Sequence, residues 1–270
     1  MSDKIFQEIK EAIETRKHDF LTFHDVDPGD YDDVIHSLQH PANHLERRSF
    51  RIHWFAGERY LKVVIPSDLH EGAGVWVIDE ISEGLARGGI PQAWVRKISV
   101  GGSPQYKNFI GAYKQYSKEG DLTIVPHLPP DWTEEAKYPS VILECGWTES
   151  AEHLKQDATL WQKGTGGNVR VVIQVKFYKR QGGRIGARAW ISRTKPPRDP
   201  SKTPKISIET YEVLPPPPVA AASPAIKFEE FFAGCCPPGI DPDEHVILNL
   251  DNLRAISRRR IRRRGNIPDE

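Results

Sequence analysis

Apolar residues in this chain follow two rhythms, and the switches between them outline a fold. Near the start, Ile5, Phe6, Ile9, Ala12 and Ile13 recur at three- and four-residue steps among charged neighbours. That spacing predicts an amphipathic helix over 3–20 that packs one face on a core. DVDPGDYDD (25–33) breaks the rhythm and reads as a turn-rich acidic link whose spacing fits no EF-hand loop. RSFRIHWFAGERYLKVVIPS (48–67) gives two short strand-like runs about an AGE turn, hence a hairpin. Ser67-Asp68 can cap a helix over 70–89, with Val75, Ile78, Ile81 and Leu85 inward and Gly88-Gly89 as its stop.

A strand and a Gly-rich turn follow from Trp94, and then two β-branched runs bounded by Gly or Pro. LTIV follows Asp121, and VIL precedes Glu144. Both read as buried strands, joined by a proline-set loop over 127–139. Residues 148–163 form the next helix, with Thr148 or Ser150 as N-cap. Ala151, Leu154, Ala158 and Trp161 are its apolar stripe, and Asp157 is expected to face outward or toward the sheet edge. VRVVIQVKFY, a Gly-Gly turn and RIGARAWIS read as a second hairpin. Beyond residue 194 the chain turns Pro- and Lys-rich. ISIETYEVL reads as one more strand, PPPPVAAASP as a stiff extended segment, and HVILNLDNL as a strand leading to a helix.

This order predicts an α+β fold, α/β-like in its central part, with one mixed central β-sheet flanked by helices. The expected divisions are 1–44 (helix and acidic link), 45–195 (core) and 196–270 (Pro-rich linker and extension).

Composition narrows the function classes. Lys and Arg balance Asp and Glu at 37 each, so the chain as a whole carries no net attraction for a polyanion. Any nucleic-acid surface must be local. RRRIRRR (258–264) is the obvious place: Arg258, Arg259, Arg260, Arg262, Arg263 and Arg264 read as a phosphate-binding tail, an import signal or a solvated helix end. Basic and aromatic residues mix at Arg96, Lys97, Tyr106, Lys107, Tyr113, Lys114 and Tyr116, which reads as a base-stacking groove or a solvated face. Three cysteines make no disulfide framework and fit a reducing compartment. No apolar run suits a membrane helix, and the N-terminus lacks the apolar centre of a signal peptide. The expectation is an intracellular protein, cytoplasmic or nuclear, without a membrane partner.

The strand-edge acids carry the candidate chemistry. A carboxylate at the edge of a buried strand is costly unless paired. Two on neighbouring strands repel unless a cation or a proton lies between them. A divalent metal held by hard oxygen ligands meets that need. The alternative is two strand-end carboxylates, each facing water or a salt bridge, and the residue pattern leaves both open.

Six segments in order carry a resemblance: RRSFRIHWF (47–55), VIPSDLHE (64–71), KEGDLTIVP (118–126), YPSVILECGWTES (138–150), HLKQDATLW (153–161) and GNVRVVIQVKF (167–177). Together they resemble the restriction-endonuclease-like fold of the PD-(D/E)XK nuclease superfamily, and within it a group of fungal proteins. The resemblance covers residues 45–195. It implies a divergent nuclease that uses Mg²⁺ or Mn²⁺ to hydrolyse phosphodiester bonds. Asp121 and Glu144 would be the metal-holding acids, with Glu71, in the first turn of the helix after Ser67, as a third.

Two departures bear on that implication. Gly120 stands where the family usually has Pro. Glu144-Cys145-Gly146 lacks the lysine of a (D/E)-x-K motif. Lys155 is the first candidate replacement, then Lys176 and Lys163; Lys176 lies in a Gln174-Val175-Lys176 run that mimics a Q-x-K variant, but on the strand after the helix, one strand later than the motif's order requires. If none serves, the same resemblance implies a catalytically inactive nuclease-fold binding module.

Overall fold

The computed structural model describes residues 1–102, 104–147, 150–195, 203–219 and 221–270. Thr148 and Glu149, considered at the start of the helix, lie outside the described residues. Contacts group the chain into two units, Met1–Ser67 with Pro104–Glu119, and Asp68–Ser103 with Gly120–Glu270. The divisions expected from the sequence fall at 44/45 and 195/196.

The first unit contains α1 (Ser2–Thr15), β1 (Phe20–Phe23), α2 (Pro28–Gln39), β2 (Arg51–Phe55) and β3 (Tyr60–Val64). Its antiparallel sheet runs β1-β3-β2. Ile5, Phe6, Ile9, Ala12 and Ile13 of α1 are all buried, as their spacing predicts. The acidic link is a correction: α2 begins inside it, with Pro28 in the first turn after Asp27. Proline's fixed φ suits that position, and Tyr31, Val34, Ile35 and Leu38 then supply a buried stripe that the aspartates masked in the sequence. The hairpin forms as expected, with Arg59 closing its turn in the left-handed region at φ 50°. Chain from Pro104 to Glu119 returns to this sheet. Ser117 and Trp54 exchange backbone hydrogen bonds of 2.8 and 3.0 Å, and the Tyr31 ring stacks on Trp54 at 4.6 Å.

The second unit contains α3 (Asp68–Ala86), α4 (Gln92–Val95), β4 (Ile98–Gly101), β5 (Leu122–Leu128), β6 (Glu134–Glu135), β7 (Val141–Gly146) and α5 (Ala151–Gly164). It continues through β8 (Val171–Lys179), β9 (Arg184–Lys195), β10 (Lys205–Leu214), β11 (Ala225–Lys227), α6 (Phe228–Phe231), β12 (His245–Ile247), α7 (Leu250–Arg263) and β13 (Ile267–Pro268). Its main sheet runs β10-β9-β8-β7-β5-β4. β7 and β8 are parallel, and the other neighbours on that path are antiparallel, so the sheet is mixed.

Alternation along the strands gives the sheet two faces. Val141, Leu143 and Cys145 of β7 and Val171, Ile173 and Val175 of β8 share a core with Leu69 and Trp76 of α3 and Leu253 and Ile256 of α7. The intervening residues meet α5: Glu144 meets Trp161, Gln174 meets the Leu154 carbonyl, and Ser192 meets Gln162. The expectation of a mixed sheet flanked by helices is borne out.

One further expectation needs correction, and two are narrowed. The buried face of α3 is centred on Ala73, Trp76 and Val77, whereas Ile78 is 43% exposed. Trp76 buries more apolar area than Ile78 and anchors through its indole N–H to the Asn249 carbonyl at 2.9 Å. Asp157, expected outward or toward the sheet edge, is buried, which removes the outward alternative. Of the readings of the arginine run, the helix end describes its place: it ends α7, whose Leu253, Ile256 and Ile261 are in the core. No helix among the described residues is long and apolar enough to cross a membrane.

Candidate functional site

Asp121 immediately precedes β5, and the register Leu122↔Leu143 puts it opposite Glu144 on β7. The Asp121 amide donates to the Leu143 carbonyl at 2.9 Å. Its carboxylate Oδ2 in turn accepts from the Cys145 amide at 2.5 Å. The register therefore sets the two acids opposite each other at one end of an antiparallel strand pair.

Glu144 is 4% exposed, and its Oε1 accepts from the Trp161 indole N–H at 2.5 Å. A carboxylate buried to that extent needs donors. Trp161 is the donor that sequence reasoning assigned only to packing. The signal was available: an indole one strand–helix connection downstream of a buried acid, on the helix stripe that faces the sheet. Ser150 starts α5 by accepting from the His153 amide at 3.1 Å, which fixes the phase of that stripe.

β8 runs parallel beside β7, pairing Glu144 with Gln174 and Gly146 with Lys176. The Gln174 side-chain amide donates to the Leu154 carbonyl at 2.5 Å, so Gln174 lies on the α5 face. Lys176, two residues on, shares that face. Gly146 occupies the third place of the Glu-x-Lys pattern, and a Cβ there would lie 2.8 Å from Leu154 Cδ1. Leu154 thus fills the space that a side chain at 146 needs, while the adjacent strand carries a lysine at the same level.

Lys176 lines a cavity of about 590 Å³ with Tyr178, Arg180, Arg188, Trp190 and the Pro215–Pro218 wall among others. Arg188 pairs with Glu212 at 2.6 Å and Arg180 with Asp269 at 2.6 Å. The Arg188 Nε is buried without a hydrogen-bond partner. Sequence reading missed Arg188 and Trp190, although both lie on one face of β9 by period two.

The remaining candidates sit elsewhere. Lys155 projects from α5, 63% exposed, with Glu152 4.0 Å away. Lys163 is exposed in the last turn of α5, and Glu71 is exposed in the first turn of α3. Among the described residues, no three His, Cys, Asp or Glu side chains form a group able to hold a metal ion. Asp121 and Glu144 are two carboxylates in facing register, and Glu71 forms no such group with them. That donor set suits Mg²⁺ or Mn²⁺, since Mg²⁺ is commonly held by one or two carboxylates with waters and substrate phosphate completing the shell.

The six arginines near the C-terminal end of α7 divide by helical phase. Arg260 bends back over Gly72 and donates to the Asp68 carbonyl at 3.1 Å. The Arg264 guanidinium lies 5.9 Å from the Trp147 ring centre. Arg258, Arg259, Arg262 and Arg263 instead line a shallow concavity of about 620 Å³ with Ala255.

Comparison with known proteins adds no relative: no family model matches this chain, and no curated protein matches it significantly.

Proposed function

We propose that the second unit is a divergent metal-dependent phosphodiester hydrolase of restriction-endonuclease type. The observation that carries this reading is the juxtaposition of Asp121, seated on the Cys145 amide, with Glu144 and with Lys176 level with Gly146 on the next strand. The element order supports it too: α3, the antiparallel neighbours β4, β5 and β7, then α5 and a parallel β8.

Asp121 and Glu144 would hold Mg²⁺ or Mn²⁺. The ion, when bound, would lower the pKa of a coordinated water and draw charge from the phosphoryl oxygens. The Cys145 amide and the Trp161 indole fix the two carboxylates in place before any ligand arrives. Lys176 carries the positive charge that offsets the charge developing on the phosphoryl group. Arg180 and Arg188 add cations along the same cavity, and Trp190 and Tyr178 offer ring faces to bases. Lys176 therefore ranks above Lys155 and Lys163 for the lysine role.

A second reading, an inactive binding module of the same fold, is favoured by one observation. Glu144 is buried and already engaged by Trp161, and no third acid joins the pair among the described residues. A Mn²⁺-dependent cleavage assay on single- and double-stranded DNA and RNA separates the two readings. The hydrolase reading expects cleavage by the parent that is lost in Asp121→Ala and in Glu144→Ala. No cleavage by the parent, or cleavage that survives both substitutions, leaves the binding module.

A further inference from the structure

The outer face of α7 shares no residue with the cavity that Lys176 lines. Arg258 and Arg262, and Arg259 and Arg263, form two i, i+4 pairs about 6 Å apart along the helix axis. Arg259, Arg262 and Arg263 are exposed, and Arg258 is partly so. Only Ala255 joins them in the concavity.

We propose that this face binds the sugar–phosphate backbone of duplex nucleic acid, with these four guanidinium groups as its phosphate contacts. Three observations support a backbone ligand. First, an oxyanion already sits on the face: Glu270 Oε1 accepts from Arg262 Nη2 at 2.9 Å and lies 3.7 Å from Arg258 Nε. Guanidinium forks match phosphate oxygens as they match that carboxylate. Second, Arg260 and Arg264 are engaged elsewhere, on the Asp68 carbonyl and beside the Trp147 ring, and Arg258, Arg259, Arg262 and Arg263 line one concavity with the carboxylate of Glu270 among them. Third, the apolar stripe of α7 is spent on the core with α3. With that stripe buried, α7 has no apolar face to insert into a bilayer, which favours a soluble polyanion over a membrane. The contacts are to backbone, so they hold a duplex without reading its sequence. This proposal does not depend on hydrolysis.

The test is fluorescence anisotropy of a labelled DNA duplex with the full chain, in EDTA, across 50–200 mM KCl. Four phosphate contacts predict a slope of log K against log salt of about −3 to −4, or roughly a hundredfold loss over that range. Arg259→Ala and Arg263→Ala should each reduce the slope by about 1, whereas Arg260→Ala and Arg264→Ala should not. Glu270→Gln should tighten binding. A flat slope in the parent overturns the proposal. So does an unchanged slope in the Arg259→Ala, Arg263→Ala double variant, or binding to phosphatidylserine vesicles without binding to duplex. Duplex binding without cleavage in a parallel Mn²⁺ assay would overturn the hydrolase reading and leave this one standing.

Discussion

Lys176 on β8 stands in parallel register with Gly146 on β7, the residue two places after the buried acid Glu144. The neighbouring strand thus presents a lysine at the level where Leu154 leaves no room for a side chain on β7.

Under the hydrolase reading, Lys176→Ala should lower single-turnover Mn²⁺-dependent cleavage by about two orders of magnitude. Lys155→Ala should leave it close to the parent, because Lys155 is exposed and pairs at 4.0 Å with Glu152 on the same helix. Equal losses in the two variants would remove Lys176 from the site.

Gly146→Ala should destabilise the protein by about 1–3 kcal/mol, because its Cβ would press on Leu154 and shift α5 against the sheet. Urea denaturation reads the change directly. A Leu154→Ala background should recover part of it, since the two substitutions share one space.

Trp161→Phe keeps the ring but removes the N–H that Glu144 accepts. A lost hydrogen bond to a charged buried group costs about 1.5–3 kcal/mol. The expected result is a lower urea midpoint with an unchanged m-value. A midpoint equal to the parent's would mean that other donors to Glu144 suffice.

Burial raises the Glu119 carboxyl from 4.5 to about 7, against a backbone hydrogen bond from Ile52 and the nearby charges of Arg51 and Lys118. The folded state then binds the proton more tightly than the unfolded state. Stability from this group falls as pH rises from about 4.5 to 7, by on the order of 3 kcal/mol. His53 acts in the opposite sense: burial holds it well below 6.5, so its contribution is lost as pH falls through the unfolded value. Glu119→Gln isolates the first effect. The variant should gain stability relative to the parent between pH 5 and pH 7.5, measured by urea denaturation at each pH. A constant difference across that range would sink the assignment.

Much of the second unit was legible. Asp121 and Glu144 could be placed on neighbouring strands because each lies at the end of a β-branched run bounded by Gly or Pro. The partner of Gly146 could not be read, because the register of parallel strands joined through a helix is set by packing rather than by local pattern. The same limit hid Trp190 and Arg188. The arginine run looked uniform in the sequence, yet helical phase takes Arg260 to the Asp68 carbonyl and Arg264 beside the Trp147 ring, while the other four line a separate concavity. α2 was lost for another reason: its aspartates sit on the solvent side of a helix whose buried residues are few and spaced.

The first unit closes only when Ser117 reaches Trp54. By then a ribosome has already released α3, α4 and β4, which belong to the second unit. The two units must therefore mature with overlapping schedules rather than one after the other. No single scission can separate them, and a fragment ending at Ser67 would present Trp54 on an unclosed β2 edge, open to pairing with another chain.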